Sequence, residues 1–221
     1  MNAESFLQEL SAKSYIDFLY NPGENTRIGA KMGDVFKLAK EYKDMPLDEV
    51  VKLLKHDVHE ARVGAVSILD FLARDKNSSE DLKKEIYDIY LDNHDYINTW
   101  DLVDRAAPYV VGGYLYNKSR QPLYELAKSD KPMERRTAIT ATYYFIRQDD
   151  TKDTFEIAEI LASDPEKFVQ TAVGSWIREA GKKDKSKLIG FLKRHNSELS
   201  KIAIRYATEK LSTEEREYIN E

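Results

Sequence analysis

The chain of 221 residues has no cysteine. Disulfide frameworks, zinc ribbons and thiol nucleophiles are therefore excluded. Glycine and proline are scarce, at 9 and 6 residues, which argues for helices over a turn-rich sandwich or barrel. No stretch reaches 18 consecutive apolar residues, so no membrane span is expected. No basic segment followed by an apolar one opens the chain, so a cytoplasmic location is expected. Neither a G-x-x-x-x-G-K-[ST] nor a G-x-G-x-x-G phosphate loop occurs; Gly112-Gly113 reads as a helix-packing feature. What is present is 42% hydrophobic and 33% charged residues, the balance of a globular protein.

The net charge is -5, which weighs against nucleic acid when taken alone. The distribution is uneven, however. Residues 174–210 hold ten Lys/Arg against four Asp/Glu, so the remainder of the chain carries -11. This suits either one basic face on an acidic body or a solvated helix surface.

Apolar residues recur at helical spacing, as in Val50, Val51, Leu53 and Leu54, in Phe155, Ile157, Ala158, Ile160 and Leu161, and in Leu188, Ile189, Phe191 and Leu192. Short breaks separate the helices, among them Asn21-Pro22-Gly23, Asp130-Lys131-Pro132 and Ser163-Asp164-Pro165. No long linker occurs, so a single domain over 1–221 is expected. A polar residue followed two positions later by Gly or Ala recurs at Arg27, Arg62, Asp104, Arg136, Gln170 and Lys201. The spacings are 35, 42, 32, 34 and 31 residues. Each instance is expected to open a helix, with further helices at 46–56, 80–93, 121–129, 153–163 and 184–195. Two helices per repeat predict an all-α, HEAT-like α-solenoid of about six helical pairs. Stacking would align the six polar residues along a concave basic face suited to a polyanion. Asp104 is the single acid in that row. It has either a chemical role or a local arginine partner.

Thr99-Trp100-Asp101-Leu102-Val103-Asp104 is the sharpest local feature. Trp100 and Asp104 stand at i and i+4 and share a helix face. Trp100 is either a core residue or a surface that packs on a sugar. Asp101 reads as a first-turn acid or cap with a structural role. His56 and His59, with Asp57 and Glu60, have the spacing of a metal site, but surface histidines among acids are the commoner meaning, and no metal is expected.

The Trp100–Asp104 run resembles the WDxVD motif of the AlkD-type DNA alkylation repair proteins, HEAT-like-repeat glycosylases that release 7-alkylguanine and 3-alkyladenine. Glu134-Arg135-Arg136-Thr137-Ala138-Ile139 is similar to the family's (Q/R)RxAI helix start. Ala172-Val173-Gly174, with Arg178-Glu179, Lys182 and Asp184, is similar to its A(V/I)GWxLRE...K segment. The likeness extends from about residue 24 to 210. It implies duplex DNA as partner, no cofactor, and hydrolysis of the N-glycosidic bond without a base-flipping pocket. It implies Asp104 as the carboxylate that stabilises the oxocarbenium-like sugar and orients water, Trp100 on the deoxyribose, and Arg136 on the backbone beside the lesion. Arg27, Arg62, Gln170, Lys201, Arg178 and Lys182 form the expected DNA-contact set, and a monomer is expected. The chain departs from the family at Ser175, where an aromatic residue stands in the motif; Trp176 is one position later, about 100° around the helix. It also has a single helix, about 4–20, before the Asn21-Pro22-Gly23 break, where the family commonly has more. A DNA-binding relative without excision, or a scaffold for protein partners, are the alternatives.

Overall fold

The computed structural model describes residues 1–14 and 26–220. The Asn21-Pro22-Gly23 break and the last six residues of the helix expected at 4–20 lie outside them, and within the described residues that helix already ends at Ser11. Among the described residues the fold is helical throughout, with one isolated bridge between Thr26 and Val58. The chain forms two compact units, Met1–Tyr114 and Leu115–Glu221.

In the first unit α1 (Ala3–Ser11), α2 (Met32–Glu41), α3 (Leu47–Leu54) and α5 (Glu80–Asp92) surround α4 (His59–Arg74), and α6 (Trp100–Ala107) packs on α4 as well. The twelve residues from His59 to Asp70 are all buried. A helix apolar on only one side would lie at the surface; Ala61, Val63, Ala65, Val66, Ile68 and Leu69 instead cover every side of α4, which makes it central. Pro108 follows α6 and opens a wide π-helical turn, Pro108–Gly113. Proline supplies no N–H to the regular ladder, so the turn loosens there. Gly112-Gly113 belongs to this turn.

The second unit repeats the plan. Its helices are α7 (Gln121–Leu126), α8 (Pro132–Ala141), α9 (Tyr143–Ile146), α10 (Lys152–Ile160), α11 (Lys167–Gly181), α12 (Lys185–His195), α13 (Lys201–Ala207) and α14 (Thr213–Asn220). Here α11 is the central element, in contact with α8, α9, α10, α12 and α13.

The five intervening helices expected from the breaks appear as α3, α5, α7, α10 and α12. Five of the six recurring polar-x-small positions fall in α4, α6, α8, α11 and α13. The sixth is a correction. Arg27-Ile28-Gly29 opens no helix: Thr26 and Arg27 are extended, and α2 begins only at Met32. The buried Glu60 carboxylate accepts the N–H groups of Ile28 and Gly29 at 3.2 and 3.0 Å, and Gly29 takes φ 74, a left-handed conformation that interrupts a helix.

Candidate functional site

Helix α6 carries the Trp100–Asp104 run on eight residues. Leu102, Val103, Ala106 and Ala107 are buried and seat the helix. Trp100 is 50% exposed, so it is no core tryptophan. Asp104, one turn later, is partly exposed on the same face. The pair thus presents an indole and a carboxylate to solvent from a short helix.

A quarter-turn away, Asp101 and Arg105 face α4. The Asp101 carboxylate meets His59 Nε2 at 2.7 Å, and His59 is fully buried. His59 is therefore not the surface histidine its acidic neighbours suggested. Among the described residues no group of His, Asp and Glu could hold a metal. Burial pushes the Asp101 carboxyl up, but hydrogen bonding and the charge of His59 outweigh it, leaving the group at about 2. An ionised Asp101 accepts only, so the hydrogen in this bond belongs to His59 Nε2. Its folded pKa lies below the ordinary value of 3.8. The contribution is thus complete above about pH 4 and lost as pH falls toward 2. Asp101→Asn is expected to cost on the order of 2 kcal/mol at neutral pH, with the gap to wild type closing below pH 4. Thermal melts of both proteins across pH 7 to 2 check this.

Arg105 does not pair with Asp104. Its guanidinium lies 3.0 Å from the fully buried Asp70, donates to the Ser67 hydroxyl at 2.9 Å, and is 4.8 and 4.9 Å from the ring centres of Phe36 and Phe71. Arg74 also donates to Asp70, at 2.8 Å, and stacks on Tyr109. Burial raises the Asp70 carboxyl and the two arginines oppose it. Arg62, 3% exposed, donates to Asn98 at 3.3 Å, two residues before Trp100. It also lines a polar recess of about 200 Å³ with Lys55, His56, Asp57, Asp95, Tyr96 and Asn98.

In the second unit Arg136 is 5% exposed and donates to the Phe168 carbonyl at the start of α11. Gln170 is buried and its amide is fully used inside the unit. Its nitrogen donates to the Leu161 and Ala162 carbonyls at 2.9 and 3.0 Å, and its oxygen accepts from the Ser200 hydroxyl at 3.0 Å. Arg178 pairs with Glu209 and Glu179, and Lys182 with Glu179. Arg27 and Lys201 are exposed. Much of the positive excess of 174–210 is internally matched, since Lys183 meets Asp149, Lys185 meets Glu215 and Lys187 meets Asp184. Ser175 is partly exposed, while Trp176 donates to the Thr140 hydroxyl at 3.1 Å and stacks on Tyr143.

Trp100 and Asp104 are thus brought together as expected from their spacing, and Arg62, Arg136 and Gln170 lie in the interiors of their units. Sequence reasoning passed over Asp70 and Arg105 and read His59 as a surface histidine, whereas it is buried against Asp101. One signal was legible: Asp70 ends the run Val63–Leu69, and an aspartate in such surroundings requires a cationic partner.

No curated protein matches the chain. A family model described as DNA alkylation repair enzyme matches residues 8–211. That span takes in the end of α1 and all of α2 to α13, including α6 with its Trp-Asp-Leu-Val-Asp run, so the chain belongs to the DNA alkylation repair enzyme family.

Proposed function

We propose that the protein is a DNA glycosylase that hydrolyses the N-glycosidic bond of cationic alkylpurines in duplex DNA, on the concave face of a HEAT-like solenoid. One observation carries the reading: the exposed Trp100 indole and the Asp104 carboxylate share a face of α6 in a member of this family. A 7-alkylguanine is already positively charged and leaves readily. The enzyme need only stabilise the cationic sugar and place a water, tasks for a fixed carboxylate. Trp100 offers a flat apolar surface to the deoxyribose. Asp104 provides the negative charge and orients the nucleophile. No flipped-base pocket is required.

Duplex DNA would be held through phosphates, with Arg27, Lys182 and Lys201 among the exposed cations. Binding is then expected to weaken steeply with salt, and Lys201→Ala to reduce the slope of log K against log salt by about 0.9. Fluorescence anisotropy with a labelled duplex at several salt concentrations measures it; a slope near zero counts against the reading. Base release from 7-methylguanine duplex, wild type beside Asp104→Asn, tests the chemistry.

A second reading is a DNA-binding relative with little excision. Ser175 favours it, because this position offers no aromatic wall and Trp176 is engaged with Thr140 and Tyr143. Salt-dependent binding without base release identifies that case.

A further inference from the structure

Three buried polar residues of α4 hold three residues that bracket Trp100 and Asp104. His59 bonds to Asp101, Arg62 to Asn98, and Asp70 meets Arg105. On α4 these side chains are 0%, 3% and 0% exposed. His59 and Asp70 are eleven residues apart, close to three full turns, so they leave α4 on nearly one side. Asp101 and Arg105 are four apart and share a side of α6. The partners on α6 and in the turn before it therefore alternate with the residues proposed to meet DNA.

We propose that Asp101 and Arg105 are positioning residues, and that the buried polar row His59, Arg62 and Asp70 of α4 fixes through them where Trp100 and Asp104 point. The inference rests on the glycosylase reading for its consequence, but its geometry stands apart from it. Two features of α6 make an external hold necessary. Its regular ladder ends after eight residues, where the helix widens into the Pro108–Gly113 π turn, so the C-terminal side gives it a loosened support. Thr99, at its N-cap position, makes no side-chain capping bond, so the turn carrying Trp100 lacks the usual lock. The His59 bond acts on the first turn and the Asp70 pair on the last. Apolar contact from Leu102 and Val103 seats the helix but leaves rotation about its axis soft; the directional bonds His59–Asp101 on the first turn and Arg105–Ser67 on the last, with the Asp70 charge behind Arg105, remove that freedom.

The experiment uses Trp176→Phe protein as reference, so that Trp100 is the sole tryptophan. In that background His59→Leu removes the donor at similar bulk, and His59→Gln restores an N–H close to Nε2. Circular dichroism and a cooperative melt establish folding. Acrylamide quenching and anisotropy of Trp100 report the seat of α6. Single-turnover release of 7-methylguanine and duplex affinity report its use.

His59→Leu is expected to alter Trp100 quenching and to slow release about tenfold to a hundredfold. Affinity should change by less than about threefold, the mark of a loss felt in the reaction step and not in binding. His59→Gln should recover both readouts. The proposal is overturned if folded His59→Leu leaves Trp100 and the rate unchanged, or if His59→Gln is no better than His59→Leu, which would reduce His59 to packing. Should His59→Leu fail to fold, Asp101→Asn and Arg105→Lys carry the same comparison from the α6 side. If even wild type releases no base, the glycosylase reading fails, while Trp100 quenching still decides the positioning role.

Discussion

Asp104→Asn is expected to slow single-turnover release of 7-methylguanine by about 10²–10³-fold, the loss that follows removal of one preorganised electrostatic group from a reacting centre. The fold and the melting temperature should hardly move, because Asp104 sits partly exposed on α6 and the apolar seat is made by Leu102, Val103, Ala106 and Ala107. Duplex affinity should stay the same or rise, since a negative charge near phosphates is removed. Trp100→Ala is the companion experiment: it removes the sugar contact and leaves the carboxylate. A rate for Asp104→Asn equal to wild type would remove the chemical role of this carboxylate. A rate reduced with affinity intact would place the loss in the reaction step.

Gly174→Ala is expected to destabilise the second unit by about 2–3 kcal/mol, in spite of the better helix propensity of alanine. A Cβ at this position would run into the Ala203 carbonyl oxygen and lie 2.9 Å from both the Ala203 Cα and the Tyr206 Cβ. Two of these obstacles are backbone of α13, so the helices must separate. Separation strips contact from the α11–α13 seam, where Ala172, Val173, Ala203 and Ala207 are buried. For a protein of this size the thermal midpoint should fall by about 5–10 °C. Ser175→Ala, its neighbour on the same helix, is expected to leave the midpoint within about 2 °C, because surface substitutions of this kind stay within ±0.5 kcal/mol. Equal melts for Gly174→Ala and wild type would show that α13 yields without cost.

The close approach at Gly174 and Ala203 also shows how far the sequence was readable. The near-regular recurrence of a polar residue and a small one located five helices, α4, α6, α8, α11 and α13. The intervening helices followed from their apolar stripes and the short breaks. Arg27-Ile28-Gly29 matched the pattern yet is not helical. The determinant was Glu60, 32 and 31 residues on, whose carboxylate takes the Ile28 and Gly29 amides. Such a long-range bond leaves no local periodicity to detect. Trp100 and Asp104 were legible because i and i+4 fix a shared face whatever surrounds the helix. The buried placement of Arg62 and Gln170 was not, since a polar residue at an inner-helix position looks the same in a string whether it meets solvent or a neighbouring carbonyl. Gln170 satisfies three backbone or hydroxyl partners in the interior, a fate that only the packing of α11 against its neighbours decides.

Helix α6 divides its labour by side: one face is bound to α4, the other carries the half-exposed Trp100 and the partly exposed Asp104. Substitutions at 101 and 105 break bonds to the buried residues of α4, whereas Trp100 and Asp104 stand outside that buried row. Natural variation at 100 and 104 therefore leaves the bonds that anchor α6 to α4 in place. A lineage can exchange the indole or the carboxylate, lose one chemistry or try another, and still inherit a folded protein. The scaffold tolerates experiment at the two positions where novelty would matter, and it forbids experiment one residue further along.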